Sequence, residues 1–186
     1  MEALLILLGV AALVLIWAIF NYNGLVKLRQ HCRESWSGID TELRRRYDLI
    51  PNLTQTVKGY AAHEREVLQA VTEARAKAAA SGGSPMAQAA DENILVGALQ
   101  RLLAIVENYP DLKASGNFLE LQRELANTEN RIQAARRFYN GNVRDMNTRV
   151  ESFPSNIIAG LFSFGQEEFF EIKDVAVRDV PAAKFD

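Results

Sequence analysis

The stretch FLELQRELANTENRIQAARRFYNGNVRDMNTRVESF, residues 118–153, decides the fold. It carries Phe118, Leu121, Leu125, Thr128, Ile132, Ala135, Tyr139, Val143, Met146, Val150 and Phe153 in series. Steps of three and four sustained over five heptads put them on one seam of a long helix, in coiled-coil manner. Pro154 ends the pattern. Upstream, a second stripe runs through Leu25, Leu28, Cys32, Trp36, Ile39, Leu43, Tyr47, Ile50, Leu53, Val57 and Tyr60, again in steps of three or four. Pro51 interrupts the backbone ladder, but the stripe keeps its phase, which predicts a kink and not a reversal. Alanine-rich sequence then extends this helix to about Ala80. Ser81-Gly82-Gly83-Ser84-Pro85 is a flexible breaker. A further helix spans about 86–108, with Leu95, Leu99, Leu102, Val106 and Tyr109 in phase. Pro110 stops it, and 111–117 reads as a short polar loop. Each helix has one apolar stripe and the loops are short, so the expected fold is all-α. It is an elongated antiparallel bundle of long helices at about 22–80, 86–108 and 117–153.

Outward from the bundle, the amino terminus is of a different kind. Ala3 to Phe20 is an unbroken run of 18 residues without a charged or polar side chain, twelve of them Leu, Ile, Val or Phe. As a helix it spans roughly 27 Å, near the hydrocarbon thickness of a bilayer. A cleaved signal peptide fits poorly: Met1-Glu2 is no basic leader, the run is long, and no small-x-small site follows. Residues 1–21 are therefore expected to be a retained transmembrane signal-anchor. Glu2 precedes the span, whereas Lys27, Arg29 and Arg33 follow it. The positive-inside rule then places Met1 outside and the bundle in the cytoplasm, in a single-pass inner-membrane topology. A periplasmic or extracellular bundle is the alternative.

The whole chain of 186 residues carries 21 Lys+Arg against 23 Asp+Glu, a net charge of −2, which argues against a nucleic-acid partner. One cysteine, Cys32, excludes an intramolecular disulfide and a cysteine-rich zinc site. His63-Glu64 could open a zinc-protease helix, but the second histidine would fall at Val67. His31 and Cys32 are adjacent on a helix and diverge by about 100°, so Cys32 reads as a small buried hydrophobe. Gly82-Gly83 lacks the following Lys-Ser/Thr of a phosphate loop. No catalytic or metal-binding residue is assigned, and no cofactor or small-molecule substrate is expected.

Two features carry candidate interactions. Asp40, Glu42, Arg44, Arg45, Arg46 and Asp48 form a dense charge cluster, read as a solvated face with pairs such as Asp40–Arg44 or as a protein interface. Arg44 lies 24 residues past Phe20, roughly 36 Å of helix, too far for lipid contact without a bend. The tail, 154–186, is aromatic-rich and partly irregular: six of the nine phenylalanines lie between Phe153 and Phe185. Ser155 could cap a short helix there, and 167–186 is expected to alternate turn, short helix and extended segments. Ile157, Ile158, Leu161, Phe162, Phe164, Phe169 and Phe170 are the candidate contact residues. They fold onto the bundle, meet another subunit, or touch a membrane surface.

Several stretches resemble the LemA family. They are Tyr22-Asn23-x-Leu25-Val26, Trp36-Ser37-x-Ile39-Asp40, and Arg45-Arg46-Tyr47-Asp48-Leu49-Ile50-Pro51-Asn52-Leu53, followed by Val57-Lys58-Gly59-Tyr60-Ala61-x-His63-Glu64. Ala135-Arg136-Arg137-Phe138-Tyr139-Asn140 and Phe153-Pro154-Ser155-Asn156-Ile157-Ile158-Ala159 complete the series, which covers about 21–186. The resemblance implies a bacterial membrane-anchored helical bundle with a short outside amino terminus and no established enzymatic activity. It also implies a link to membrane zinc proteases of the HtpX type and kinship with a magnetosome-membrane protein. The expected function is a non-enzymatic scaffold or adaptor that forms homo-oligomers and engages a membrane protein. The alternatives are a lipid-surface-binding organiser, or a metal-dependent membrane enzyme or regulatory subunit using acids such as Asp40, Glu42 and Asp48.

Overall fold

The computed structural model describes residues 1–173, which are mostly helical and contain no strand. The helices are α1 (Glu2–Tyr60), α2 (Arg65–Ala80), α3 (Pro85–Val106), α4 (Pro110–Lys113), α5 (Gly116–Glu151) and α6 (Ser155–Leu161). The chain divides into two compact units, one of Met1–Ser37 with Phe138–Phe169, the other of Gly38–Arg137 with the chain from Phe170 on.

In the second unit α1 continues unbroken through Pro51. Proline has no N–H, so the carbonyl of Tyr47, four residues back, loses its helical donor. Arg75 of α2 supplies the replacement: its Nε donates to Tyr47 O at 2.7 Å. That bond also fixes the path of the chain. A continuous helix would separate residues 47 and 75, 28 apart, by roughly 42 Å. The single helix expected to reach about Ala80 therefore does not exist; the chain leaves α1 at Tyr60, turns through 61–64 and folds back as α2. Periodicity could not reveal this, because Val57, Ala61, Glu64, Leu68 and Val71 keep the same steps across the turn. α3 begins on a Ser84 N-cap, whose side chain accepts from Ala87 N, with Pro85 at its first position. The expected loop after Pro110 contains one helical turn, α4, whose Leu112 is fully buried.

In the first unit, Trp36 packs against Tyr139 in a tilted arrangement, with ring centroids 5.3 Å apart. Asn142 Nδ2 donates to His31 O at 3.3 Å, and Arg149 Nη2 to Asn21 Oδ1 at 2.7 Å. Partners on α1 descend as those on α5 ascend, so these two segments run in opposite directions. Leu25, Cys32, Tyr139, Val143 and Met146 are buried between them, and each large apolar side chain so placed contributes roughly 1.5–3 kcal/mol.

After a cis Phe153–Pro154 peptide bond, α6 forms. Ser155 does not cap it. Its Oγ instead reaches the carbonyls of Arg149 (2.7 Å) and Ser152 (2.9 Å), satisfying the end of α5. At its other end, Phe164 N donates to Ala159 O and Ser163 N to Gly160 O, with Ser163 at φ 56°. This is a Schellman closure with serine in the left-handed position that glycine usually fills.

Beyond it the tail is extended and held by amides. In the first unit Asn147 accepts from Glu167 N (2.8 Å) and donates to Glu167 O (3.0 Å), and Tyr139 Oη donates to Glu168 O at 2.8 Å. In the second, Asn93 accepts from Lys173 N (2.7 Å) and donates to Glu171 O (3.3 Å). Asparagine side chains thus supply the ladder that a neighbouring strand would. The expected short helix is not present in 167–173; the rest of that stretch, 174–186, lies outside the described residues.

Candidate functional site

The densest polar chemistry lies inside the second unit. Arg46, expected on a solvated or interacting face, is fully buried. Its position explains this: it stands three residues after Leu43 and four before Ile50, on the apolar stripe itself. Glu92 on α3 precedes Leu95 by three, and Glu129 on α5 follows Leu125 by four, so both acids also project inward. Arg46 Nη1 donates to Glu129 Oε1 (2.9 Å) and Oε2 (3.2 Å), and Nη2 donates to Glu92. Tyr47 Oη donates to Glu92 Oε1. Gln88 Nε2 reaches Glu92 Oε1 (2.9 Å), Tyr47 Oη (3.1 Å) and Ala78 O (3.1 Å).

One guanidinium therefore ties α1, α3 and α5 together, and α2 joins through the Ala78 carbonyl. Burial alone would favour discharging Arg46, but the Glu129 and Glu92 carboxylates outweigh it and raise its pKa above the ordinary arginine value. Burial, then the neighbouring Glu92, pushes the Tyr47 hydroxyl well above the usual tyrosine range, so it acts as a neutral donor. Apart from Arg46 Nε, which is buried without a hydrogen-bond partner, these groups are bonded to one another; their chemistry is that of a fastener.

Of the rest of the charge cluster, the side chains of Asp40, Arg44, Arg45 and Asp48 lie outside, while Glu42 is half-buried. Asp40 and Arg44 pair at 2.9 Å, both with exposed side chains. Arg45 approaches Glu124 (3.5 Å), Glu42 approaches Arg131 (3.9 Å), and Asp48 is exposed. Among the described residues, no group of three or more His, Cys, Asp and Glu is arranged to hold a metal ion.

The aromatic tail divides likewise. Ile158, Phe164 and Phe170 are buried, so these three candidates form core and not surface. Ile157, Leu161, Phe162 and Phe169 are exposed, as is Phe153, placed at the end of the α5 seam. Phe164 lies against Tyr22 (5.6 Å) and beneath the Arg29 guanidinium (4.8 Å), a cation–π contact. Cys32 is buried, and desolvation, with Glu167 and Asp145 contributing, raises its thiol to about 11; it is no nucleophile at neutral pH. At the amino terminus, α1 carries an 18-residue window long and apolar enough to cross a membrane, none of it buried within the protein.

Among the described residues these features define an all-α protein with one amino-terminal helix long and apolar enough to cross a membrane and a polar cluster buried between helices. The chain belongs to the LemA family, whose pattern it matches over residues 35–185. Magnetosome protein MamQ 2 of Paramagnetospirillum magneticum is 24% identical over 180 residues, covering 83% of this chain and 66% of that protein. MamQ of Magnetospirillum gryphiswaldense is 23% identical with the same coverage. Protein LemA of Metamycoplasma hominis is 26% identical over 165 residues, covering 87% of this chain and 74% of that protein. The chain thus spans just under two thirds of the length of the magnetosome relatives.

Proposed function

We propose that this protein is a non-enzymatic scaffold or adaptor, anchored by Ala3–Phe20 as a single pass in a bacterial inner membrane. In this reading Met1 lies outside and the helices beyond the span lie in the cytoplasm. It self-assembles in the plane of the membrane and holds a membrane protein, for which an HtpX-type zinc protease is the candidate. The observation that carries the reading is a buried polar cluster, Arg46 with Glu92, Glu129, Tyr47 and Gln88, bonded within itself and not open to a ligand, alongside an exposed apolar span. Chemistry-bearing side chains are spent on joining helices, while apolar surface faces outward. Confinement to a plane raises local concentration, so weak lateral contacts suffice for assembly.

The test is cross-linking in native membranes, followed by sizing of the full chain in mild detergent. Assemblies larger than one copy, with a reproducible membrane-protein partner, are expected. A strict monomer that captures no partner defeats the reading.

A further inference from the structure

We infer that the α5–α6 corner is a second membrane contact: Phe153, Ile157, Leu161 and Phe162 dip into the interface of the same bilayer that α1 crosses. The inference rests on reading Ala3–Phe20 as a membrane span. All the contacts involved lie within one compact unit.

The level of the corner is fixed by two contacts just beyond the span. Arg149 Nη2 donates to Asn21 Oδ1 at 2.7 Å, and the Phe162 ring lies 4.8 Å from that of Tyr22 in an edge arrangement. Asn21 and Tyr22 are the first and second residues after Phe20, within roughly 3 Å of rise from the end of the apolar run. The headgroup layer on each side of the hydrocarbon is roughly 5–7 Å deep. The docking site of α6 on α1 therefore falls inside that layer, where tyrosine rings are commonly found. From Arg149, α5 continues toward the span to Glu151, roughly another 3 Å, before the chain turns at Pro154.

What the corner presents at that depth is apolar. Phe153 is 80% exposed, Leu161 73%, Ile157 57% and Phe162 51%. Ile157 and Leu161 are four apart and share a face of α6, opposite the buried Ile158 and Ala159. The helix, SNIIAGL, contains no charged residue. The span itself is exposed and apolar in the same unit, so one bilayer covers both it and the corner, while Phe138 and Phe169 are exposed elsewhere in the unit. At seven residues, roughly 10 Å of helix, this element is too short to cross and would touch only the interface. Two attachments to the same leaflet would fix the tilt and rotation of α1, which one span leaves free.

The test places an environment-sensitive fluorophore on Leu161→Cys and, as control, on Glu34→Cys, an exposed α1 site 14 residues past Phe20, roughly 21 Å further along the helix. Cys32 is buried and stays in place. The full chain is reconstituted in phosphatidylcholine–phosphatidylglycerol vesicles. The Leu161 label is expected to shift to the blue and to be quenched by nitroxide lipid; the Glu34 label does neither. A Leu161 label that stays water-like in vesicles that float with the protein overturns the inference and leaves the span intact. Shielding that ignores nitroxide lipid and disappears on dilution with excess lipid also overturns it, identifying a second copy as the cover. Failure of the protein to float overturns the span as well.

Discussion

Arg46→Met tests whether the buried cluster is the fastener described above. The substitution roughly keeps the length of the side chain and removes its charge. It deletes the two bonds to Glu129 at 2.9 and 3.2 Å and the bond to Glu92, stranding two carboxylates that are almost fully buried. Hydrogen bonds between charged groups contribute about 1.5–3 kcal/mol each, but desolvation of Arg46 is recovered on its removal. Breaking a buried pair from one side accordingly costs about 3–5 kcal/mol, a large share of a domain's stability. At about 2–4 °C per kcal/mol for a chain of this size, Tm should fall by roughly 6–20 °C. The companion variant is the triple Arg46→Met/Glu92→Leu/Glu129→Leu, which removes every charge. Tyr47 Oη and Gln88 Nε2 retain the Ala78 carbonyl as acceptor. It should recover most of the loss, because an apolar cluster of similar volume is as stable as an ion triad. Thermal and urea melts of the detergent-solubilised full chain, followed by far-UV circular dichroism, read both. A single-variant loss below about 1 kcal/mol, or a triple variant as unstable as the single one, would refute the reasoning.

Three further outcomes are expected. Arg75→Met should destabilise by about 1–3 kcal/mol by orphaning the Tyr47 carbonyl, and by clearly less in a Pro51→Ala background, where residue 51 regains its own N–H; a double-mutant urea cycle reads the coupling, and additivity would contradict it. Ser163→Gly should stabilise by about 0.5–1 kcal/mol, since φ 56° strains a side chain and suits glycine; equal or lower urea midpoints would count against the assigned closure. Cys32 should resist maleimide at neutral pH until the chain is unfolded. Its folded pKa is raised, from 9.0 to about 11, so the stability it contributes is present below pH 9 and is lost as pH rises through about 11. A wild-type minus Cys32→Ala difference in stability that grows with pH above 9 would reverse that sign.

Legibility differed by element. The seam of α5 could be read because Leu125, Ile132, Tyr139, Val143 and Met146 all repeat on one face and are all buried. The turn at 61–64 could not, since an uninterrupted stripe is equally compatible with a straight helix and with one that doubles back. What decides between them is a tertiary bond, Arg75 to Tyr47. Arg46 was misplaced for a related reason. Three consecutive arginines look alike in composition, but Arg44 and Arg45 point outward while Arg46 occupies a stripe position. The signal was available: an arginine on one apolar face and glutamates on two others, with opposite charge. The tail was only half legible, because the pairing of Asn93 and Asn147 with extended backbone has no period.

Pro51 has a consequence for the alignment of α1 and α2. Along a regular helix every turn resembles the next, so two packed helices can slide by about 5.4 Å with little to oppose them. The carbonyl left open at Tyr47 is a notch cut at one point of an otherwise uniform edge, and Arg75 is the tooth that engages it. A slip of one turn would strand both the notch and the tooth, and would drag Ala78 away from Gln88. The residue least suited to helix interiors thus sets the pitch at which its neighbour locks.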